Sequence, residues 1–324
     1  MGQSDIIIKP IRAEYEQFRA MYNHFAETDN PLLRTVLSHM VQRSGKQMRP
    51  ILSLLFAKLH GGITKDSYSV AIAIELLHNA SLLHDDVVDE SLMRRGQKSI
   101  NAEFGNKVSV LAGDYLLSTS SSFIAETGNA EMARVMSRIG QELSDGELYQ
   151  LSQSQEIDLS EDTYFKIISK KTACLFGACT QLGALSAGAT AEEAENARKF
   201  GESIGICFQI RDDIFDYFDD AQIGKPTGND MREGKLTLPI LYALRQAATD
   251  SVMKQIELLK QGKLDDDGIR SLILFAIDNG GIEYAERRMK EYCEHAQSLL
   301  PPTADEDLQQ AILAHMEMVV GRTY

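Results

Sequence analysis

The stretch Leu82-Leu83-His84-Asp85-Asp86-Val87-Val88-Asp89 decides how this chain reads, together with a distant counterpart, Ile210-Arg211-Asp212-Asp213-Ile214-Phe215-Asp216. Each aspartate cluster lies in an apolar segment of helical character, residues 74–89 and 204–218. In both, the first and last aspartates are four positions apart. A helix sets such carboxylates on one face, about one turn apart. Carboxylates that close repel one another and need a compensating cation. An all-oxygen donor set suits Mg²⁺, which takes one or two carboxylates together with substrate phosphates. Two such helices facing one another would hold a small cluster of Mg²⁺ ions, a setting in which a diphosphate can be ionised.

A single acidic run on a helix is usually a solvated face. Here Leu76, Leu77, Leu82 and Leu83 precede the first cluster, and Ile206, Phe208 and Ile210 precede the second. Neither helix is therefore polar all round. Nor is there an EF-hand. A frame starting at Asp219 has glycine at its sixth position, but Ala221 and Ile223 stand where oxygen ligands are required.

With 324 residues the chain can bury a large core. It contains no Pro-, Ser- or Gly-rich linker and no solenoid repeat, and only seven prolines. Segments rich in Ala, Leu, Glu, Lys and Met, such as 106–126 and 281–300, carry a helical period. These features predict one all-α domain spanning residues 1–324. The formal charge of −14 disfavours nucleic acid and anionic membrane as general partners. Cys174, Cys179, Cys207 and Cys293 form no CxxC pair and no zinc pattern, and read as reduced core residues of a cytoplasmic protein. The Ile6-Ile7-Ile8 run is too short for a signal sequence, and no apolar stretch reaches membrane-spanning length.

An anionic substrate needs local cations against this global field. Gly45-Lys46-Gln47-Met48-Arg49-Pro50 places two cations where Pro50 suits the first turn of a helix, a position that favours phosphate. It is not a P-loop, because the upstream glycine is missing and Gln47 replaces the required Ser/Thr. Arg94-Arg95 follows the first aspartate cluster, and each arginine could clamp a diphosphate. Lys170-Lys171-Thr172 is a third basic point. Gln209 shares a face with Asp212, and His78 lies two turns before Asp85. Residues 224–239 (GKPTGNDMREGKLTLP), with Lys225 and Lys235, read as a flap able to carry lysines over a phosphate.

Assembled, the segments GKQMRP, LLHDDVVDESLMRRG, Gly113-Asp114, Gly146-Glu147-Leu148-Tyr149-Gln150, Lys171-Thr172, FQIRDDIFD and GKPTGNDMREGKLTLP resemble the trans-prenyltransferases, or isoprenyl diphosphate synthases. The resemblance covers about two-thirds of the chain. It implies a helical bundle of the isoprenoid synthase type around a deep central cavity, usually as a homodimer. It also implies head-to-tail condensation of isopentenyl diphosphate with an allylic diphosphate such as farnesyl diphosphate. Asp85, Asp89, Asp212 and Asp216 correspond to the Mg²⁺ ligands, with Asp86 and Asp213 supporting and three ions bound with substrate. Lys46, Arg49, His78 and Arg95 correspond to isopentenyl diphosphate contacts. Arg94, Lys171, Thr172, Gln209 and Lys225 correspond to allylic diphosphate contacts, Lys171 also to a catalytic cation. Product release would involve transient membrane contact. The terminal Gly321-Arg322-Thr323-Tyr324 departs from the basic tails common in the family.

Chain length reads from helix geometry. Ser81 lies one turn before Asp85 on the same face, with Ala80 beside it. Both are small where short-chain relatives commonly place aromatics, so a growing tail could pass towards 118–122, with Phe123 as a floor. The expected product is a long all-trans polyprenyl diphosphate, octaprenyl in particular. Competing readings are a short-chain farnesyl or geranylgeranyl diphosphate synthase, a class I terpene cyclase, and a non-catalytic partner subunit. A cyclase would need only one diphosphate site, whereas Lys46, Arg49 and Arg95 supply a second. Silent subunits commonly lose an aspartate motif, and both are intact here.

Overall fold

The computed structural model describes residues 2–42, 45–94, 96–153, 157–218, 227–303 and 305–321. Among them the only strands are Met93–Arg94 and Gln97–Lys98, an antiparallel ribbon pairing Met93 with Lys98 and Arg94 with Gln97. The fold is all-α, as the helical periods predict. Two compact units are present, each assembled from three separate stretches of chain. The first comprises Met1–Gly140, Leu175–Arg198 and Pro301–His315; the second comprises Gln141–Cys174, Lys199–Leu300 and Met316–Tyr324.

The first unit is organised by the helix Lys65–Val88. Thr64 caps it: its hydroxyl accepts from the Ser67 N–H at 3.3 Å, and its own N–H donates to the Ser67 hydroxyl at 3.0 Å. Residues 67–77 are buried on every face, which is why this segment shows no polar stripe. The helix Asn106–Ala125 packs along it. There Ser120 donates to the Ala73 carbonyl at 2.8 Å, and Ser109 to the Leu83 carbonyl at 3.0 Å. Gly113 admits the His84 ring, since a Cβ at that position would lie 2.3 Å from His84 Nε2. A second buried helix, Met48–Leu59, packs on the same central helix, and its residues 50–57 are all buried.

The second unit has a core running along Ile206, Ile210 and Ile214, four residues apart on the helix Ala191–Phe215. Tyr164 and Ile168 from Glu161–Ile168, Leu238 and Leu241 from Leu238–Ala247, and Leu272 from Asp266–Asp278 complete it. Residues Ser169–Ala173 form a π-helical turn continuing from Glu161–Ile168. Such turns widen a helix locally and often occur at functional sites.

Candidate active site

The first acidic cluster occupies the last turn of Lys65–Val88, with Asp89 as its C-cap and the Asp89 N–H bonded to the Asp85 carbonyl at 2.8 Å. The helix thus ends one residue earlier than the sequence pattern suggests. Asp85 is half-buried, Asp86 is 2 % exposed, and Asp89 is exposed. Arg94, folded back by the ribbon, grips Asp86: its Nε lies 2.8 and 2.9 Å from the two carboxylate oxygens and its Nη2 2.7 Å from Oδ1. The side chain expected on the allylic diphosphate therefore neutralises the buried middle aspartate. Asp85 and Asp89 flank this ion pair, one half-buried and the other exposed. Asn101 steadies the same corner by donating to the backbone carbonyls of Asp86 and Ser91, at 2.9 and 3.1 Å.

Arg49 and His78, both expected on isopentenyl diphosphate, meet in the structure at 3.0 Å, Arg49 Nη1 to His78 Nε2. A guanidinium can only donate, so His78 Nε2 is the acceptor and the ring proton sits on Nδ1. The Arg49 guanidinium also lies 4.8 Å from the centre of the Phe176 ring. Lys46 is exposed just ahead of the helix. Between these cations Gln47 takes a left-handed conformation, φ 49°, ψ 40°. Its side-chain oxygen accepts from the Tyr15 hydroxyl at 2.9 Å, and His315 Nε2 donates to the next carbonyl, Met48, at 2.8 Å. Both ends of the chain thus fix this turn, which no local pattern could reveal. A cavity of about 320 Å³ reaches from Gly45 past Asn79 to Asp86 and Arg94. Arg95 lies outside the described residues.

On the face proposed for the tail, Ser81 donates to its own helix at the His78 carbonyl, 2.9 Å away, and Ala80 is 1 % exposed. Of the small residues at 118–122, Ser120 is buried against the central helix, while Ser118, Ser121 and Ser122 are exposed and Phe123 is half-buried.

In the second unit, the other cluster sits at the C-terminal end of Ala191–Phe215. Asp212 is exposed, with Arg211 Nη2 3.3 Å from its Oδ1. Asp213 is buried, and accepts from the Tyr164 hydroxyl at 2.6 Å and from Gln209 Nε2 at 2.8 Å. Burial raises its pKa well above the ordinary carboxylate value, and the nearby Asp230 adds to the rise. Asp216 lies one residue past the helix, where its carboxylate accepts the backbone N–H groups of Asn229 and Asp230 at 3.0 and 2.9 Å. Each Asp216 oxygen keeps a second lone pair. Burial raises the Asp216 pKa despite these bonds. Asp230, which sequence reasoning missed inside the glycine-rich segment, has its carboxyl pushed to about 6 by burial, with Lys235 opposing and Asp216 adding to the rise.

Lys171 lies on the π-helical turn, with Nζ 2.8 Å from Glu147 Oε1, and Thr172 donates to Gln209 Oε1 at 3.0 Å. The partner helix Ala130–Gln153 approaches closely here, because a Cβ on Gly146 would stand 3.0 Å from the Lys171 nitrogen. Lys225 lies outside the described residues. Among the described residues no group of three or more His, Cys, Asp or Glu side chains is already arranged as a metal site. The donor chemistry nevertheless fits a hard cation such as Mg²⁺, because each cluster gathers several carboxylates at one helix end.

The polyprenyl synthetase family model matches residues 30–274. The octaprenyl diphosphate synthase of Haemophilus influenzae is 34 % identical over 298 residues, covering 92 % of this chain and 90 % of that protein. The structure of geranylgeranyl pyrophosphate synthase from Bacteroides thetaiotaomicron superposes with a TM-score of 0.85 at 46 % identity, over 99 % of this chain and all of that one. A decaprenyl diphosphate synthase from Rhodobacter capsulatus superposes with a TM-score of 0.92 at 31 % identity, over 99 % of both chains. The match spans nearly the whole chain, so this protein belongs to the polyprenyl synthetase family of prenyl diphosphate synthases.

Proposed function

We propose that the chain is a Mg²⁺-dependent trans-prenyltransferase that extends an allylic diphosphate with isopentenyl diphosphate to a long polyprenyl diphosphate, octaprenyl in particular. The observation that carries this is the Arg49–His78 pair beside Lys46, an anion-binding group separate from either carboxylate cluster. It supplies the second diphosphate contact that an elongating enzyme needs and a cyclase does not.

Asp85 and Asp89, and Asp212 with Asp216 in support, would hold Mg²⁺, which would supply positive charge to the leaving diphosphate. Lys171 and Gln209 donate to the same allylic diphosphate with Thr172 orienting Gln209, and the Lys171 ammonium stabilises the charge that develops as the C1–O bond breaks. Lys225 and Arg95 join the allylic and isopentenyl contacts respectively. Lys46, Arg49 and His78 hold isopentenyl diphosphate so that its double bond faces the allylic carbon. A C2 proton is then lost. His78 is no base for it, because Arg49 already engages its acceptor nitrogen. The released diphosphate takes the proton.

Product length rests on the small side chains of Ala80 and Ser81 below Asp85. A C20 product, suggested by the name of the Bacteroides relative, is the alternative. The active form is a cytoplasmic homodimer. Val110, Leu111, Tyr115 and Leu117 on Asn106–Ala125 offer the apolar face for it, Leu111 being 62 % exposed. No helix among the described residues is long and apolar enough to cross a membrane, and product leaves by transient membrane contact. Incubation with isopentenyl and farnesyl diphosphates, with and without Mg²⁺, followed by chromatographic sizing, tests the reading. Metal-dependent polyprenyl products longer than C20 support it. A cyclic hydrocarbon, or no turnover by the chain alone, refutes it.

A further inference from the structure

Behind the second aspartate cluster runs a continuous chain of hydrogen bonds whose far end lies in the apolar core. Tyr164 lies outside the sequence segments quoted above for the resemblance. It is buried on Glu161–Ile168 among Ile168, Ile210 and Ile214. Its hydroxyl donates to Asp213 Oδ2 at 2.6 Å. The other oxygen, Oδ1, accepts from Gln209 Nε2 at 2.8 Å, and Gln209 Oε1 accepts from the Thr172 hydroxyl at 3.0 Å. Lys171, the neighbour of Thr172, sits on the same π-helical turn.

The directions of these bonds are dictated by donor and acceptor chemistry. A carboxylate only accepts, so the Gln209 amide must turn its NH₂ towards Asp213. Its carbonyl oxygen then faces Thr172, which spends its single hydroxyl proton on it. Thr172 consequently presents lone pairs, while Gln209 retains a second amide N–H and Lys171 its ammonium as donors. The whole arrangement depends on Asp213 keeping one rotational setting. Gln209 holds only one of its oxygens; Tyr164 holds the other.

We propose that Tyr164 is a positioning residue for the allylic diphosphate, fixing Asp213 so that Gln209 is presented as an N–H donor beside Lys171 and Thr172. This rests on the prenyltransferase reading above. Without the phenolic hydroxyl, the buried carboxylate can rotate so that Oδ1 leaves Gln209 Nε2, and the Gln209 amide can then flip and turn its oxygen towards an anion. The penalty falls on the allylic substrate, because none of these groups belongs to the Lys46–Arg49–His78 set.

The test is steady-state kinetics of Tyr164→Phe, which keeps the ring in the core and removes only the oxygen. The expected result is a rise of about ten-fold in KM for farnesyl diphosphate, the loss of one such hydrogen bond, with KM for isopentenyl diphosphate within two-fold of wild type. Asp213→Asn removes the same fixed acceptor without touching the core ring, and should reproduce the selective rise. In a Gln209→Ala background, Tyr164→Phe should have no further effect on the farnesyl KM, whereas a merely structural hydroxyl would lower activity equally in both backgrounds. An active wild type whose Tyr164→Phe and Asp213→Asn variants keep the farnesyl KM, or lose both substrates equally, overturns the inference alone. A wild type that neither condenses the two diphosphates nor binds farnesyl diphosphate overturns the functional reading and this inference with it.

Discussion

Replacing Arg94 with alanine would leave Asp86 buried without its bidentate partner. Asp86 is 2 % exposed, and Arg94 makes three contacts of 2.7 to 2.9 Å with its carboxylate. Removing one member of a buried ion pair costs about 3–5 kcal/mol, because an uncompensated charge stays inside. Arg94 itself is 35 % exposed, so water can reach the vacated corner, and about 3 kcal/mol is the better expectation. Unfolding entropy of about 2.1 cal/mol/K per residue gives roughly 0.7 kcal/mol/K for a chain of this length, so Arg94→Ala should lower Tm by about 4 °C. Adding Asp86→Asn removes the stranded charge and should restore most of the loss. Differential scanning calorimetry of wild type, single and double variants makes the comparison. If Arg94→Ala melted with wild type, or the double variant recovered nothing, the ion pair would not be what holds this corner. The restored double variant then isolates substrate contact, since any remaining rise in the farnesyl diphosphate KM belongs to the arginine itself.

Asp85→Ala and Asp212→Ala should each lower kcat by several orders of magnitude while leaving the thermal melt intact; near-wild-type turnover in either would remove that cluster from the metal site. Lys46→Ala should raise KM for isopentenyl diphosphate about ten- to a hundred-fold, the loss of a charge-assisted bond to phosphate, and Lys171→Ala should act on the allylic substrate instead. Unchanged isopentenyl kinetics in Lys46→Ala would contradict the assignment. Burial depresses the His315 pKa from 6.5 to about 4, so the folded state holds this ring neutral. Its contribution is complete above pH 6.5, where both states are neutral. It is lost as pH falls towards 4, because the unfolded chain takes up the proton first, for a total of about 3 kcal/mol. His315→Gln should flatten that part of a stability-against-pH curve measured by urea unfolding, and an unaltered slope would contradict the burial argument. Ser81→Phe should shorten the product to about C15–C20 with condensation preserved, because the ring fills space one turn below Asp85. An active variant with unchanged products would show that the tail does not pass this face.

Periodicity made the two aspartate helices legible, because apolar residues and carboxylates at four-residue spacing follow directly from helix geometry. The ends of those helices were less so. The pattern continues to Asp89 and Phe218, but the helices stop at Val88 and Phe215. The second stop comes as Asp216 takes the N–H groups of Asn229 and Asp230, more than ten residues along the chain. Pro50 correctly placed the GKQMRP cations at a helix start. The left-handed Gln47 beside them is held by Tyr15, with His315 on the following carbonyl, and contacts across such distances leave no local trace. Arg94 shows the same limit. Its place after the aspartates suggested a diphosphate clamp, and only the ribbon reveals that it closes on Asp86.

Both acidic clusters sit where a helix least tolerates them. The C-terminal turn carries the negative end of the macrodipole, and an anion there is disfavoured by about 0.3–1 kcal/mol. A stable protein with no task for these groups would place cations in that turn. Instead the fold compensates its inner carboxylates one by one: Arg94 on Asp86, Tyr164 and Gln209 on Asp213, two backbone N–H groups on Asp216. The exposed Asp89 and Asp212 are left at the helix ends, where solvent or a bound cation can reach them. That division separates carboxylates compensated within the fold from carboxylates open to solvent. Burial raises the pKa of Asp213 and of Asp216, the members that the second unit compensates from within.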